Sequence, residues 1–363
     1  MKRIKIFSLF IFLLLPPVLK AYFYGEIFSG IQLNHPTASS LASGINRLRL
    51  GAIIPTKRTN LDLHLRFASA SGKSYFGSVY LMTPANDIAS DPDEITLDKA
   101  YFGYEGKRTA LFVGLIDPLD FTLDHRGFFQ MAFAGNENNG FFSTHFLKCL
   151  SLHGNGTDQM QYPSIPSVFF LFYLTEHLTL QTGLTFGLAS KHLFLRNTMP
   201  VEIKYLTSSW HISINAGFAD ADSTTVHKIS PSWGILTERK VMGDISLFAK
   251  YNKTEKDVTT YKTPDITISD HFITAKEFGS FKQHMAAGIT CQKKYFGFGS
   301  GYSHLKRFGQ KTAEEVVEIF FRTRLFRLFD LSPDLQYIIH PNGTTQYKYM
   351  WIAGIRLYYS WQF

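Results

Sequence analysis

The stretch YMWIAGIRLYYSWQF, residues 349–363, decides the fold. Trp351, Ala353, Ile355, Leu357, Tyr359, Trp361 and Phe363 fall on one parity. Gly354, Arg356, Ser360 and Gln362 fall on the other, mixed with Ile352 and Tyr358. That is the two-residue period of a β-strand with one apolar face, and the face runs to the last residue. Soluble domains usually leave their final residues loose and polar. An apolar strand with nothing behind it asks for an environment other than water.

The opposite end narrows the choice. MKRIKIFSLFIFLLLPPVLKA, residues 1–21, has a basic start, an apolar run from Ile6 to Leu15, and Ala21 as the cleavage point. This reads as a secretory signal peptide, although Leu19 and Lys20 depart from the usual small-residue context. The alternative, an uncleaved anchor helix, is opposed by the short run and by Pro16 and Pro17. Residues 22–363 then form one domain. No later apolar stretch reaches the roughly 18 residues that a membrane-spanning helix needs. Aromatic residues nevertheless make up 15% of the chain. An exported, aromatic-rich chain without long apolar runs suits an outer-membrane barrel, whose strands are apolar on one face only.

Removing residues 1–21 takes away four of the 37 basic residues and none of the 29 acidic ones, lowering the formal charge from +8 to +4. No cluster of Lys or Arg accompanies that excess, so nucleic acid is not an expected partner. Cys149 and Cys291 are the only cysteines. They are read as lying in separate loops or strand ends, which disfavours a disulfide.

From Tyr22 onward, alternating runs recur about every 20 residues, joined by two kinds of connection. Short turns are read at TKRTN, GKRT, TEH, TSS, KVMG and QKKY. Long polar loops are read around 34–45, 83–94, 118–166, 191–199, 221–230, 253–281, 305–313 and 341–349. Strict alternation of short and long is what a barrel with periplasmic turns and extracellular loops requires. The run SYFGSVYLM at 74–82 would make seventeen strands. A bacterial barrel that begins and ends on one side needs an even number, so 71–94 is read as a single outer loop. The predicted fold is an all-β, antiparallel transmembrane barrel of sixteen strands.

Each wall carries two faces. Leu61, Leu63, Leu65 and Phe67 oppose Asp62, His64 and Arg66, and Leu48 and Leu50 oppose Arg47 and Arg49. Val317, Ile319 and Phe321 oppose Glu318, Phe320, Arg322 and Arg324. Side chains cannot fill a sixteen-stranded interior, so the apolar parity is assigned to lipid and the charged parity to the lumen. Trp351 and Trp361 would stand roughly 25 Å apart along the membrane normal, the height of an aromatic-girdled band.

At these residues the chain resembles the carbohydrate-selective porins of the OprB type. EEVVEIFFRTRLFRLFDLSPDLQYIIHPNG (314–343) with the ending AGIRLYYSWQF resembles the family's C-terminal signature, a Glu-bearing strand before a PDLQY segment and a Gly-x-Arg-x closing strand. GDISLFAKYNKTEKDV and YFGFGSGYSHL resemble the preceding strand pairs. ITLDKAYFGYEGKRTALFVGLIDPLDF resembles the strand–turn–strand that leads to the main inward loop. The resemblance implies a sixteen-stranded barrel and passive diffusion of sugars through a constricted pore. It is dense only after about residue 240, and region 118–166 departs from the pattern in its Phe and His content.

A porin needs no catalytic group; lumen side chains bias which solute enters. The pore-lining candidates are Arg47, Arg49, His64, Arg66, Arg126, Glu318, Arg322, Arg324, Gln336 and Arg356. Lys204 and Lys250 add to the basic side, and Asp62, Glu202, Asp244 and Asp334 stand against it. The balance predicts a neutral-sugar or mildly anion-favouring channel, Arg forks being suited to vicinal hydroxyls. Glu318 is read as orienting the arginines, and Gln336 as binding a hydroxyl or a neighbour. Phe128, Phe129 and Phe133 could stack on a pyranose. GFGSG lies on a strand without a following helix, and the histidines include no HExxH, so no cofactor or metal is expected.

The expected function is an outer-membrane porin for small hydrophilic solutes, sugars favoured, and not an enzyme. The alternative is the same fold passing another small solute, an amino acid such as arginine. A barrel enzyme built on Ser143 and His145 ranks third. Expected partners are outer-membrane lipid and, through Phe363, the barrel-assembly machinery. The oligomeric number stays open.

Overall fold

In the computed structural model, residues 22–36, 41–55, 59–72, 95–116, 165–186, 198–223, 226–255, 281–308, 311–326, 328–343, 345 and 348–362 are described. They form sixteen strands in chain order: β1 (Tyr22–Pro36), β2 (Leu41–Pro55), β3 (Thr59–Gly72), β4 (Ile95–Glu105), β5 (Thr109–Ile116), β6 (Ile165–Tyr173), β7 (Leu178–Thr185) and β8 (Thr198–Leu206), then β9 (Trp210–Ser223), β10 (Val226–Met242), β11 (Ile245–Thr254), β12 (Phe281–Gln292), β13 (Phe296–Arg307), β14 (Glu314–Leu325), β15 (Phe329–Ile339) and β16 (Tyr349–Gln362). Each pairs antiparallel with its neighbours in sequence. β1 also pairs antiparallel with β16, from Tyr24↔Gln362 to Pro36↔Met350, and closes the barrel. Closure leaves no edge strand to be covered.

The seam shows why the closing strand ends in aromatics. Gly25 lies opposite Trp361, and a Cβ there would stand 2.3 Å from the indole. The glycine lets Trp361 lie flat across β1. Phe363 itself is outside the described residues, as are residues 73–94, which hold the demoted run 74–82.

Two expected loops prove to be mostly strand. β1 and β2 are joined across residues 37–40, and β9 and β10 across 224–225, where loops were read at 34–45 and 221–230. A strand that rises beyond the apolar band no longer needs an apolar face, so its polar residues read as loop. The turn after β10 is also shifted. The strand runs to Met242 through a register irregularity between Lys240 and Met242, and the turn falls at Gly243–Asp244, where Gly243 takes φ 53°. Asp244 is therefore an exposed turn residue and not part of the inner wall.

Exposure alternates along the strands with the sign opposite to that of a soluble barrel. Ile214 is 57% exposed, while its neighbours Ser213 and Asn215 are buried. Ile31, Leu33, Ile203, Ile235, Leu247, Ile289, Ile319 and Ile355 are exposed in the same way on strands all around the wall. A continuous apolar surface of this size is not sustained in water; it is what a barrel presents to hydrocarbon. Aromatic contacts mark both margins. Toward the long loops, Tyr337 lies 4.4 Å from Trp351 and Trp233 lies 5.2 Å from Tyr251. Toward the short turns, Tyr359 stacks on Trp361 at 5.5 Å and lies tilted against Phe329 at 5.1 Å.

The inner face is less uniformly polar than the parity argument expects. Tyr101, Phe112, Phe169, Phe248 and Phe320 are buried there. Three of these rings lie over a glycine of the adjacent strand: Phe169 on Gly183, Phe248 on Gly288 and Phe320 on Gly299. A glycine with a cross-strand aromatic laid over it keeps its backbone shielded without a side chain of its own.

Candidate functional site

The inner wall is built on two arcs. The first spans β14, β15 and β16. Arg324 donates from Nε and Nη2 to the two carboxylate oxygens of Asp330, both at 2.8 Å. Arg322 reaches the same carboxylate from Nη1 at 3.5 Å and donates from Nη2 to the Lys293 carbonyl at 2.6 Å. The hairpin between β14 and β15 creates this contact, since Arg324 lies opposite Asp330 in the register. Two guanidinium groups thus share one carboxylate at the short-turn end of the barrel.

One step further in, Gln336 donates from Nε2 to Asp334 Oδ2 at 3.0 Å, and Arg356 Nε lies 3.8 Å from Asp334 Oδ1. Asp334 reaches Arg356 by leaning over Gly354, its partner on β16. A Cβ on Gly354 would stand 2.5 Å from Oδ1. Pro333 interrupts the ladder beside them. The pairing between β14 and β15 passes from Phe320↔Asp334 to Thr323↔Leu331, because proline has no N–H to give.

The second arc spans β8 to β13. Lys204 Nζ lies 3.6 Å from Glu202 Oε2, and Ser213 donates to Glu202 Oε1. His211 Nδ1 lies 3.6 Å from Glu238 Oε2, and His284 Nε2 lies 3.1 Å from Ser303 Oγ. Gly234 leaves room between Asn215 and Asn252, whose side-chain oxygens would stand 3.0 and 2.2 Å from a Cβ there. Glu202, Lys204, His211 and Glu238 are all enclosed.

The structure places the expected site residues unevenly. Glu318, Gln336, Arg356 and Arg322 face the interior and are buried, so they are held within the wall; Arg324, with its side chain 32% exposed, is the one that meets solvent among these five. Arg47, Arg49, His64 and Arg66 are described by backbone register alone. Arg49 pairs with Glu26 and with Arg66, Arg47 with Phe28, and His64 with Gly51. Arg126, Phe128, Phe129, Phe133, Ser143, His145 and Cys149 lie outside the described residues. Cys291 is a buried free cysteine at the end of β12.

Sequence reading gave the task of orienting the arginines to Glu318. Glu318 is enclosed on the inner face of β14; the carboxylate that sequence reading did not single out is Asp330, which holds Arg322 and Arg324. A signal was present, because Arg324 and Asp330 flank the tight turn LFRLF and a hairpin sets such residues opposite each other. His211 and Glu238 were also missed. Their meeting depends on the register of β9 and β10, which the sequence leaves unset.

This architecture has known counterparts. The chain superposes on the high-pH structure of Pseudomonas putida OprB with TM-score 0.69 at 13% identity, covering 94% of each chain. The fold is that of an outer-membrane porin. The anion-selective porin of Comamonas acidovorans aligns with TM-score 0.61 at 9% identity, over 94% of this chain and 99% of that one. A loop-deleted OmpT, an outer-membrane protein of Vibrio cholerae, gives TM-score 0.58 at 11% identity over 94% and 99%. Residues 283–361, from β12 to the end of β16, match the family model described as carbohydrate-selective porin, OprB family. That match contains the whole Arg322–Asp330–Arg324 and Asp334–Arg356 arrangement. No curated protein sequence matches the chain.

Proposed function

We propose that this porin is a passive channel for small hydrophilic solutes, with carbohydrates as the favoured class. The observation that carries the reading is the match of residues 283–361 to the carbohydrate-selective porin model, laid over a closed barrel whose apolar face points out. The chemistry agrees with that class. Arg322 and Arg356 are enclosed with their carboxylates, and Arg324, paired with Asp330 yet part-exposed, presents the N–H donors of this arc. Neutral polyols suit such a lining better than ions do. Arg47, Arg49 and Arg66, at neighbouring registers on β2 and β3, add the basic weight that favours anions mildly over cations. Transport then needs positioning and hydrogen bonding and no catalytic group, so the chain acts as a channel and not as an enzyme.

The remaining assignments follow from the same reading. Residues 1–21 serve as an export signal removed before assembly, and 22–363 as the barrel. The apolar band meets outer-membrane lipid, and Phe363 addresses the chain to the barrel-assembly machinery.

Planar-bilayer recording tests the proposal. The refolded barrel is expected to give an ion conductance linear in voltage, which added maltose reduces and an equally sized amino acid leaves largely unchanged. Equal block by the amino acid would move the chain to the other solute class, and absence of conductance would overturn the channel reading. In Arg47→Ala with Arg49→Ala, the reversal potential in a KCl gradient should move toward cations.

A further inference from the structure

The short-turn rim carries cations that the channel reading does not use. Arg239 at the end of β10, and Lys293 and Lys294 in the turn between β12 and β13, are exposed. Among the described residues, none of the three has a carboxylate within ion-pair distance. Each lies instead against an aromatic ring. The Arg239 guanidinium is 4.7 Å from the centre of the Trp210 ring, Lys293 Nζ is 5.0 Å from that of Phe296, and Lys294 Nζ is 5.2 Å from that of Tyr295. Trp210 and Phe296 open β9 and β13, and both rings are exposed in the lower aromatic girdle. The cations therefore sit on the outer wall at the margin of the apolar band, away from the pore.

The turn between Arg239 and β11 adds a second kind of contact. Val241 and Met242 are exposed, Met242 by 71%, beside the left-handed Gly243. Apolar tips next to unpaired cations on aromatic platforms suit a surface that straddles acyl chains and headgroups. At the long-loop rim Lys253 is instead held by Glu255 at 2.9 Å and His304 lies 3.7 Å from Glu315, while Lys282 Nζ is 5.8 Å from the centre of the Phe308 ring.

We propose that the arc from β9 to β13 at the short-turn end binds anionic phospholipid headgroups of the periplasmic leaflet. Charge complementarity selects the phosphodiester. Arg239 offers a planar fork for two phosphate oxygens, and Lys293 and Lys294 supply point charges on the adjoining turn. The rings hold the cations at headgroup height, and Val241 and Met242 enter the acyl boundary. Short turns mark the periplasmic side of such barrels, which fixes the leaflet. The inference is independent of which solute crosses the pore.

The test uses the refolded barrel in mixed micelles of detergent with phosphatidylcholine and phosphatidylglycerol, with retained lipids counted by native mass spectrometry. The wild type is expected to retain phosphatidylglycerol in preference to phosphatidylcholine by roughly tenfold. The triple variant Arg239→Gln, Lys293→Gln, Lys294→Gln should lose that preference while keeping its heat-modifiable shift on a gel and its sugar-driven liposome swelling. A second variant at the opposite rim, Lys253→Gln with Lys282→Gln, should keep it. Equal retention of both lipids by the wild type, preference persisting in the triple variant, or loss in the opposite-rim variant instead would each overturn the proposal. Swelling that fails while lipid preference stands would strike the channel reading alone.

Discussion

The two inner arcs use the same residue types for different ends. On β8 to β10, Glu202 lies beside Lys204 and His211 beside Glu238, all four enclosed. On β14 to β16, two arginines share Asp330, and Arg324 stays partly open to solvent. The first arrangement contributes to holding the wall and is enclosed away from a solute. The second leaves one guanidinium, that of Arg324, partly open to solvent. Inward parity alone therefore does not make a residue pore-lining; the degree of enclosure does.

The sharpest way to break the comparison is to unpair the enclosed arc. Lys204→Met leaves the Glu202 carboxylate enclosed without its cation, and should cost about 3–5 kcal/mol. The expected result is a clearly lowered temperature for the heat-modifiable gel shift, with the ion selectivity of the surviving channels unchanged. Asp330→Asn acts on the other arc and should read out differently. It releases Arg322 and Arg324 from their shared carboxylate, at a stability cost of about 1–3 kcal/mol. The reversal potential in a KCl gradient should move toward the chloride value. If Lys204→Met shifted selectivity and Asp330→Asn did not, the two roles would be reversed.

A smaller effect sharpens the same contrast. Gly354→Ala places a methyl where Asp334 Oδ1 now lies, and the short side chain can swing aside. Asp334 then moves away from Arg356, which is enclosed, so stability should fall by about 1–2 kcal/mol while the reversal potential stays that of the wild type. The mildest case lies outside the strands. Lys253 first, and then the Trp233 indole N–H, hold the exposed Glu255 carboxyl below its ordinary value. A lowered folded value means that its contribution is present above the ordinary carboxylate range and lost as pH falls through the lowered one. Trp233 fluorescence should therefore show an acid step in the wild type that Glu255→Gln lacks.

Much of the fold was legible because a barrel crossing hydrocarbon must alternate, and alternation is visible residue by residue. Trp351, Ile355 and Trp361 set the outer face of β16, and the even count followed from termini on one side. The tall hairpins β1–β2 and β9–β10 were not legible, since above the apolar band nothing forces a period. The site was legible as a set of inward charges and no further. Arg322, Arg324 and Arg356 could be placed on the inner face, but their partners Asp330 and Asp334 are fixed by cross-strand register. Gly354 shows the limit well. Its sequence neighbours mark it as a gap in an alternating strand, and only the pairing with Asp334 shows what the gap admits.

The most direct measurement is liposome swelling with the refolded protein, comparing glucose, maltose, arginine and a neutral amino acid matched in size. Faster swelling is expected with the sugars than with the size-matched amino acid. Swelling at equal rates, or fastest with arginine, would contradict the carbohydrate preference while leaving the porin fold in place, and no swelling with any solute would contradict the open channel itself.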